Sequence, residues 1–359
     1  MTWTMPAEWA PQERIWMAFP RPGYTLGDDP ESAEEGRRAW AAVANAAAGF
    51  EPVTMVVDPS SLADARRLLS AEIELVEAPL DDFWMRDIGP SFVLADNGRL
   101  GAVDWTFNGW GATSWTTWDR DSLIGERVGT LAGAEIVTSV LVNEGGGLHV
   151  DGEGTVLVTE TVQLDPFRNP YLTKARVEAE LRRTLGATTV VWLPRGLTRD
   201  YQAPGTRGHV DMVAAFAGPG RVLLHWQDDP AHPDYGVVRQ VRAVLEQSTD
   251  ARGRSFEIIE LPAPTTLRDA EGFVDWNYAN HLVVNGGVIA CGYGEPEADA
   301  RAASILAEAY GREVVTVDAR PILERGGGVH CITQQQPVSV SGPASVSGPG
   351  SSRGGRDVA

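Results

Sequence analysis

Only two cysteines occur in the 359 residues, and one of them, Cys331, stands in "GGGVHCITQQQP" (326–337), beside His330 and behind three glycines. A nucleophilic thiol needs its thiolate form and an accessible, dipole-rich position, which a glycine run permits; the plain alternative is a buried, inert thiol. "TRGHVDMVAAF" (206–216) sets His209 and Asp211 two residues apart. On a strand that spacing presents both side chains to one face, as an acid/base histidine with a carboxylate requires. With His149 and Asp151 of "NEGGGLHVDGEGT" (143–155), the same pair would offer four ligands for a metal-dependent hydrolase. In "DDFWMRDIGPSF" (81–92), Trp84, Arg86 and Asp87 precede the turn signal Ile88-Gly89-Pro90. A carboxylate beside an aromatic plane suits a guanidinium or ammonium group; alternatively, Asp87 simply pairs with Arg86. Glu144 heads a run with five glycines in thirteen residues, which lets backbone approach a ligand closely. No Walker-type Gly-Lys-Ser/Thr follows, so a nucleotide site is set aside. Cys291, inside the apolar "GGVIACGYG", reads as core.

Elements able to position such groups alternate along the chain. "EPVTMVVD", "IELVEAP", "GTVLVTE", "TTVVWLP", "RVLLHW", "FEIIELP", "HLVVNGGVIACGYG" and "REVVTVD" read as strands, rich in Val, Ile and Thr and bounded by Gly, Pro or Asp. "ESAEEGRRAWAAVANAAAGF", "SLADARRLLS", "TKARVEAELRRTLG", "YGVVRQVRAVLEQST" and "EADARAASILAEAYG" carry apolar residues at helical spacing. Strand and helix alternating over short links indicate an α/β protein. "HVDG" at His149 and "HVDM" at His209 form a weak echo of the kind a pseudosymmetric fold produces. After Pro337, Val-Ser-Gly-Pro repeats and large apolar residues vanish, so 338–359 is expected to be a disordered tail behind one domain, 1–337.

A hydrophobic content of 43% with 22% charged residues is that of a globular chain. The net charge of −19 disfavours nucleic acid and anionic membranes and raises the local concentration of small cations. No apolar run of membrane-spanning length and no signal-type leader is evident, and two cysteines are too few for a disulfide framework. A soluble, cytoplasmic protein is expected, with its oligomeric state open. Lys174 is the single lysine, which reads as coding bias.

Taken together and in order, "MPAEWAPQERIWMAFPRP", "WMRDIGP", "DWTFNGWG", "NEGGGLHVDGEGTVLVTE", "LDPFRNP", "GHVDM" and "HCITQQQP" resemble the agmatine deiminase family, which includes the bacterial peptidylarginine deiminases. That family lies within the guanidino-group-modifying pentein superfamily. The resemblance implies an α/β propeller of pseudosymmetric ββαβ units around a central active-site channel. It implies Cys331 as nucleophile, His209 as acid/base, Asp87 and Asp211 as the carboxylates gripping a guanidinium, Glu144 as the group orienting His209, and Trp84 lining the channel. It requires no cofactor and no metal. Agmatine is the foremost substrate implied, with arginine, peptidyl-arginine or another guanidine as alternatives; a non-catalytic binder of cationic ligands is a further one. Gly328 stands where many members carry Asn, and Met212 follows His-x-Asp where Asn is common.

Overall fold

In a computed structural model, which describes residues 2–340, the chain forms five small sheets. Four follow one plan: two short antiparallel strands, a helix, and a third strand returning parallel to the second. The plan runs through Ser91–Ala95, Leu100–Thr106, helix Ile124–Leu131 and Glu135–Val142. It recurs in Leu148–Val150, Thr155–Thr159, helix Lys174–Leu185 and Thr189–Leu193. A further round is Ala214–Gly218, Arg221–Trp226, helix Asp234–Gln247 and Glu257–Pro262. The fourth is Leu282–Val284, Gly287–Gly292, helix Pro296–Tyr310 and Glu313–Asp318.

The fifth blade joins the two ends of the described chain. Gln12–Ala18, helix Pro30–Ala48 and Val53–Val57 supply its later members, while Thr333–Pro337 pairs antiparallel with Gln12–Ala18, Thr333 opposite Met17 and Pro337 opposite Gln12. These repeated units give the expected pentein propeller. Strand Val53–Val57 is buried at every position, the pattern of a parallel strand covered on both faces. Its helix starts where Asp29 accepts the Ser32 N–H and Pro30 pre-sets the first turn, and it buries Ala33, Trp40, Val43, Ala44 and Ala47 on one stripe.

Several sequence expectations change. "HLVVNGGVIACGYG" is a hairpin rather than one strand, turning at Asn285-Gly286, where Gly286 has φ 81°. The His209–Asp211 segment is not a strand: Val210–Met212 is a 3₁₀ turn, and the strand begins at Ala214. Val338 and Val340, assigned to the tail, donate their N–H groups to the carbonyls of Pro11 and Gly98, so they are held on the body. The rest of the expected tail, 341–359, lies outside the described residues. Among the described residues no helix is long and apolar enough to cross a membrane.

Candidate active site

The segments singled out for chemistry occupy one recurrent place, the few residues just before the first strand of a blade. Asp87 precedes Ser91, Glu144 precedes Leu148, His209 and Asp211 precede Ala214, and Cys331 precedes Thr333. Asn277 and Asn280 stand in the equivalent place before Leu282. Pseudosymmetry thus delivers one polar group or pair per blade to a common centre. The His-Val-Asp echo is not part of it, because His149 lies inside its strand while His209 lies before its own.

At that centre His209 is fully enclosed. Its Nε2 lies 3.1 Å from Glu144 Oε2 and its Nδ1 lies 3.8 Å from Asp87 Oδ1. Asp87 accepts from the Trp110 indole N–H at 2.9 Å and from the Gly146 N–H at 3.2 Å; Arg86 is not its partner. Trp110 holds φ 55°, a left-handed conformation that a bulky residue adopts only when its surroundings impose it. Gly146 is required sterically, since a Cβ there would lie 2.5 Å from His209 Nδ1 and 3.0 Å from oxygens of both Asp87 and Asp211. Asp211 Oδ2 contacts His330 Nδ1 at 2.8 Å and lies 3.6 Å from Cys331 Sγ. His209 Nδ1 and Asp211 Oδ1 are buried with no hydrogen-bond partner among the described residues. Other buried side-chain atoms lack a partner elsewhere in the protein; these two stand beside the Asp87 carboxylate and the Cys331 sulfur, where a ligand's donors and acceptors would meet them.

Burial and charge set the ionisation pattern. Burial pushes Asp87 up to about 6, and the neighbouring Glu144 and Asp211 carboxylates push the same way against the pull of His209. Burial opposes the charged form of His209, but Asp87, Glu144 and Asp211 overcome it and hold the imidazole proton up to about 9. Glu144 is drawn down to about 2 despite burial, because the Arg168 guanidinium grips both its oxygens at 2.9 and 3.1 Å and His209 adds to it. Burial, with Asp211 and Asp87 nearby, drives the Cys331 thiol well above its ordinary value. In the empty site the sulfur is therefore a thiol, and a cation placed between the carboxylates favours its ionisation.

A second layer fixes these groups, and sequence reasoning assigned it no role. Arg168, from "LDPFRNP", also holds Asp165 at 2.9 Å and the Thr206 carbonyl at 2.8 Å. Arg86 is buried: its backbone N–H reaches the Cys331 carbonyl, its Nε the His330 carbonyl and its Nη2 Gln335 Oε1 at 2.8 Å. The run "QQQ" is thus a strand whose amides serve buried partners, Gln336 Oε1 taking the Trp16 indole N–H. Trp84, Asp87, Trp110, Trp115, Arg325 and Cys331 line the cavity leading to the site.

The four-residue metal set does not assemble. His149 Nδ1 accepts from the Phe216 N–H and its Nε2 faces Glu8, while Asp151 is occupied by the N–H groups of Glu153 and Thr155 and the Thr155 hydroxyl. His149, His330 and Glu8 do cluster, but His330 already bridges Glu8 and Asp211 through its two ring nitrogens, and the Arg86 cation lies 3.5 Å from Glu8. That donor set is a hydrogen-bonded ion cluster, and it does not suit a cation.

A five-bladed ring that focuses a thiol, a histidine and three carboxylates on its axis belongs to the class of guanidino-group-modifying enzymes. Residues 4–337 match the Porphyromonas-type peptidyl-arginine deiminase family. A relative from Streptomyces coelicolor is 55% identical, covering 94% of this chain and 99% of its own. The agmatine deiminase of Pseudomonas putida is 41% identical over 94% of this chain and 96% of its own. The structure of the agmatine deiminase of Enterococcus faecalis superposes with a TM-score of 0.87 at 34% identity, covering 94% of this chain and 96% of that one. The chain belongs to this deiminase family, and it is an amidine hydrolase that cleaves a guanidino carbon–nitrogen bond.

Proposed function

We propose that the protein hydrolyses agmatine to N-carbamoylputrescine and ammonia through a covalent intermediate on Cys331. The observation that carries this reading is the pair of unsatisfied buried atoms, His209 Nδ1 and Asp211 Oδ1, beside Asp87 and the Cys331 sulfur. A guanidinium is planar, cationic and a poor electrophile. Two carboxylates gripping its N–H fork would hold the central carbon against the sulfur, and the positive charge of the bound guanidinium would let the thiol ionise, its proton passing to solvent. The thiolate adds to that carbon, and the C–N bond breaks as His209 gives its proton to departing ammonia, leaving a thiouronium on Cys331. Water, deprotonated by His209, adds to the same carbon; the C–S bond breaks and the ureido product leaves with the thiol restored. Glu144, kept ionised by Arg168, holds His209 in orientation and stabilises its cation.

Three tryptophans lining the cavity, Trp84, Trp110 and Trp115, suit an alkyl stem with a cationic end. Arg325, the cation among the lining residues, commits both its Nη groups to the carbonyls of Pro321 and Ser32, and its buried Nε alone is left without a partner, which is too little to grip an α-carboxylate bidentately. That favours agmatine over arginine. The fit of the chain to whole agmatine deiminases of other bacteria supports the same substrate. The reading makes residues 1–337 one catalytic unit without metal, acting in the cytoplasm on a step towards polyamines. Pure protein incubated with agmatine, arginine and arginyl peptides, with ureido product and ammonia measured, tests it: agmatine is expected to be turned over with the highest kcat/KM. Preference for a peptide, or no product from any guanidine, contradicts it.

A further inference from the structure

Among the described residues, three other than glycine hold a left-handed backbone: Trp110 at φ 55°, Ala112 at φ 53° and Arg207 at φ 70°. Such a conformation is costly for a residue with a side chain and persists where the surroundings impose it. All three lie in two loops that meet beside the site. Trp110 and Ala112 belong to the turn that follows strand Leu100–Thr106, and Arg207 stands two residues before His209. The meeting point is the Asp165 carboxylate. A Cβ on Gly111 would lie 2.8 Å from Asp165 Oδ2 and 3.1 Å from Arg207 Nη1, so the turn rests directly on that ion pair.

Arg207 reaches the turn along two routes. Its Nη1 takes both Asp165 oxygens, at 3.0 and 2.9 Å, and Asp165 is buried while Arg207 is partly exposed. Its guanidinium carbon also lies 4.7 Å from the centre of the Phe167 ring. The Phe167 carbonyl accepts from Asn108 Nδ2 at 3.0 Å, and Asn108 Oδ1 accepts the Gly111 N–H at 2.9 Å. The Arg207 main chain is anchored in its turn, its N–H donating to the Asp200 carbonyl at 2.9 Å.

We infer that Arg207 is a positioning residue for the hydrolysis: it clamps the 108–112 turn against the 165–167 loop and thereby keeps the Trp110 indole N–H on the Asp87 carboxylate. It touches no reacting atom. Without it Asp165 still holds Arg168, which grips Glu144, so the loss is felt at Trp110 and Asp87 rather than at His209. Asp87 holds a guanidinium that is cationic before the reaction begins, so a loosened Trp110 weakens binding more than turnover.

The inference rests on the agmatine reading of the site, and the test separates the two. Arg207→Asn accepts a left-handed backbone and removes the guanidinium; Arg207→Gly serves if the asparagine variant does not fold. Two quantities are read: amide hydrogen exchange of residues 108–118 in the ligand-free protein, and KM and kcat on agmatine. Exchange of that segment should be roughly fivefold faster, and KM should rise roughly tenfold with kcat within about threefold. Arg207→Lys should recover most of both, because one nitrogen makes both contacts with Asp165 and an ammonium can take its place. Exchange or KM of a folded asparagine or glycine variant within about twofold of the parent overturns the inference, and so does a lysine variant no better than asparagine. If the parent protein turns over no agmatine, the function proposed above falls, and the exchange measurement alone then decides whether Arg207 holds the turn.

Discussion

The two cysteines bracket one residue and are opposite in character. Cys291, in strand Gly287–Gly292, gives its S–H to the Asn280 carbonyl and is walled by core residues; burial pushes its thiol up to about 11. Cys331 takes the Asn280 amide on its sulfur, lines a cavity, and faces Asp211 and Asp87. Both thiols are buried and both are neutral in the empty protein, so burial does not distinguish them. The difference lies in what a ligand could change: at Cys331 a cation placed between the carboxylates reverses the local field, and among the described residues no pair of carboxylates offers Cys291 such a seat. Reactivity here is a property of an arrangement completed by its substrate.

Removing either sulfur breaks that comparison most directly. Cys331→Ala is expected to fold with an unchanged circular dichroism spectrum and to give no detectable ureido product, the largest effect on offer. Asp211→Asn sharpens the contrast by moving two readouts in opposite directions. Agmatine kcat/KM should fall roughly 10²–10³-fold as the guanidinium loses a carboxylate. Substrate-free alkylation of Cys331 should become faster, because an anion opposing the thiolate is gone. Slower alkylation contradicts the electrostatic account.

The pH profile of kcat/KM reports the free enzyme's groups. Activity should rise with pH as the Cys331 thiol ionises and level off above about 9, where further ionisation is offset by loss of the His209 proton. Asp87 must be ionised to hold a cation, so the fall steepens as the pH drops through about 6. A profile flat from pH 5 to 10 in a direct ammonia assay would remove both assignments. The smallest effect is expected from Cys291→Ala, which should lower stability by about 1 kcal/mol in urea unfolding and leave kcat/KM within about twofold.

Much of this was legible in the sequence because its signals are local. The helices around Trp40, Val177 and Leu306 follow apolar spacing, and the site motifs stand as short, ordered words. Strand Thr333–Pro337 was illegible because its glutamines are buried by serving Arg86 and Trp16, partners hundreds of residues away. The strands Gln12–Ala18, Leu100–Thr106 and Glu135–Val142 went unread for a related reason, since polar or charged residues break up their apolar runs. His209 and Asp211 were paired correctly but on the wrong element, because a 3₁₀ turn can present both groups as an alternating strand would. Arg168 and Asn280 look ordinary in one dimension; only closure of the ring sets one behind Glu144 and the other against Cys331.

The central claim is a bond between agmatine and one sulfur. Enzyme quenched in acid during turnover of agmatine and digested for peptide mass spectrometry should carry agmatine less ammonia on the peptide containing Cys331, with none on the peptide containing Cys291. An adduct on any other residue, or an active enzyme whose Cys331 stays free to alkylate throughout turnover, would contradict it.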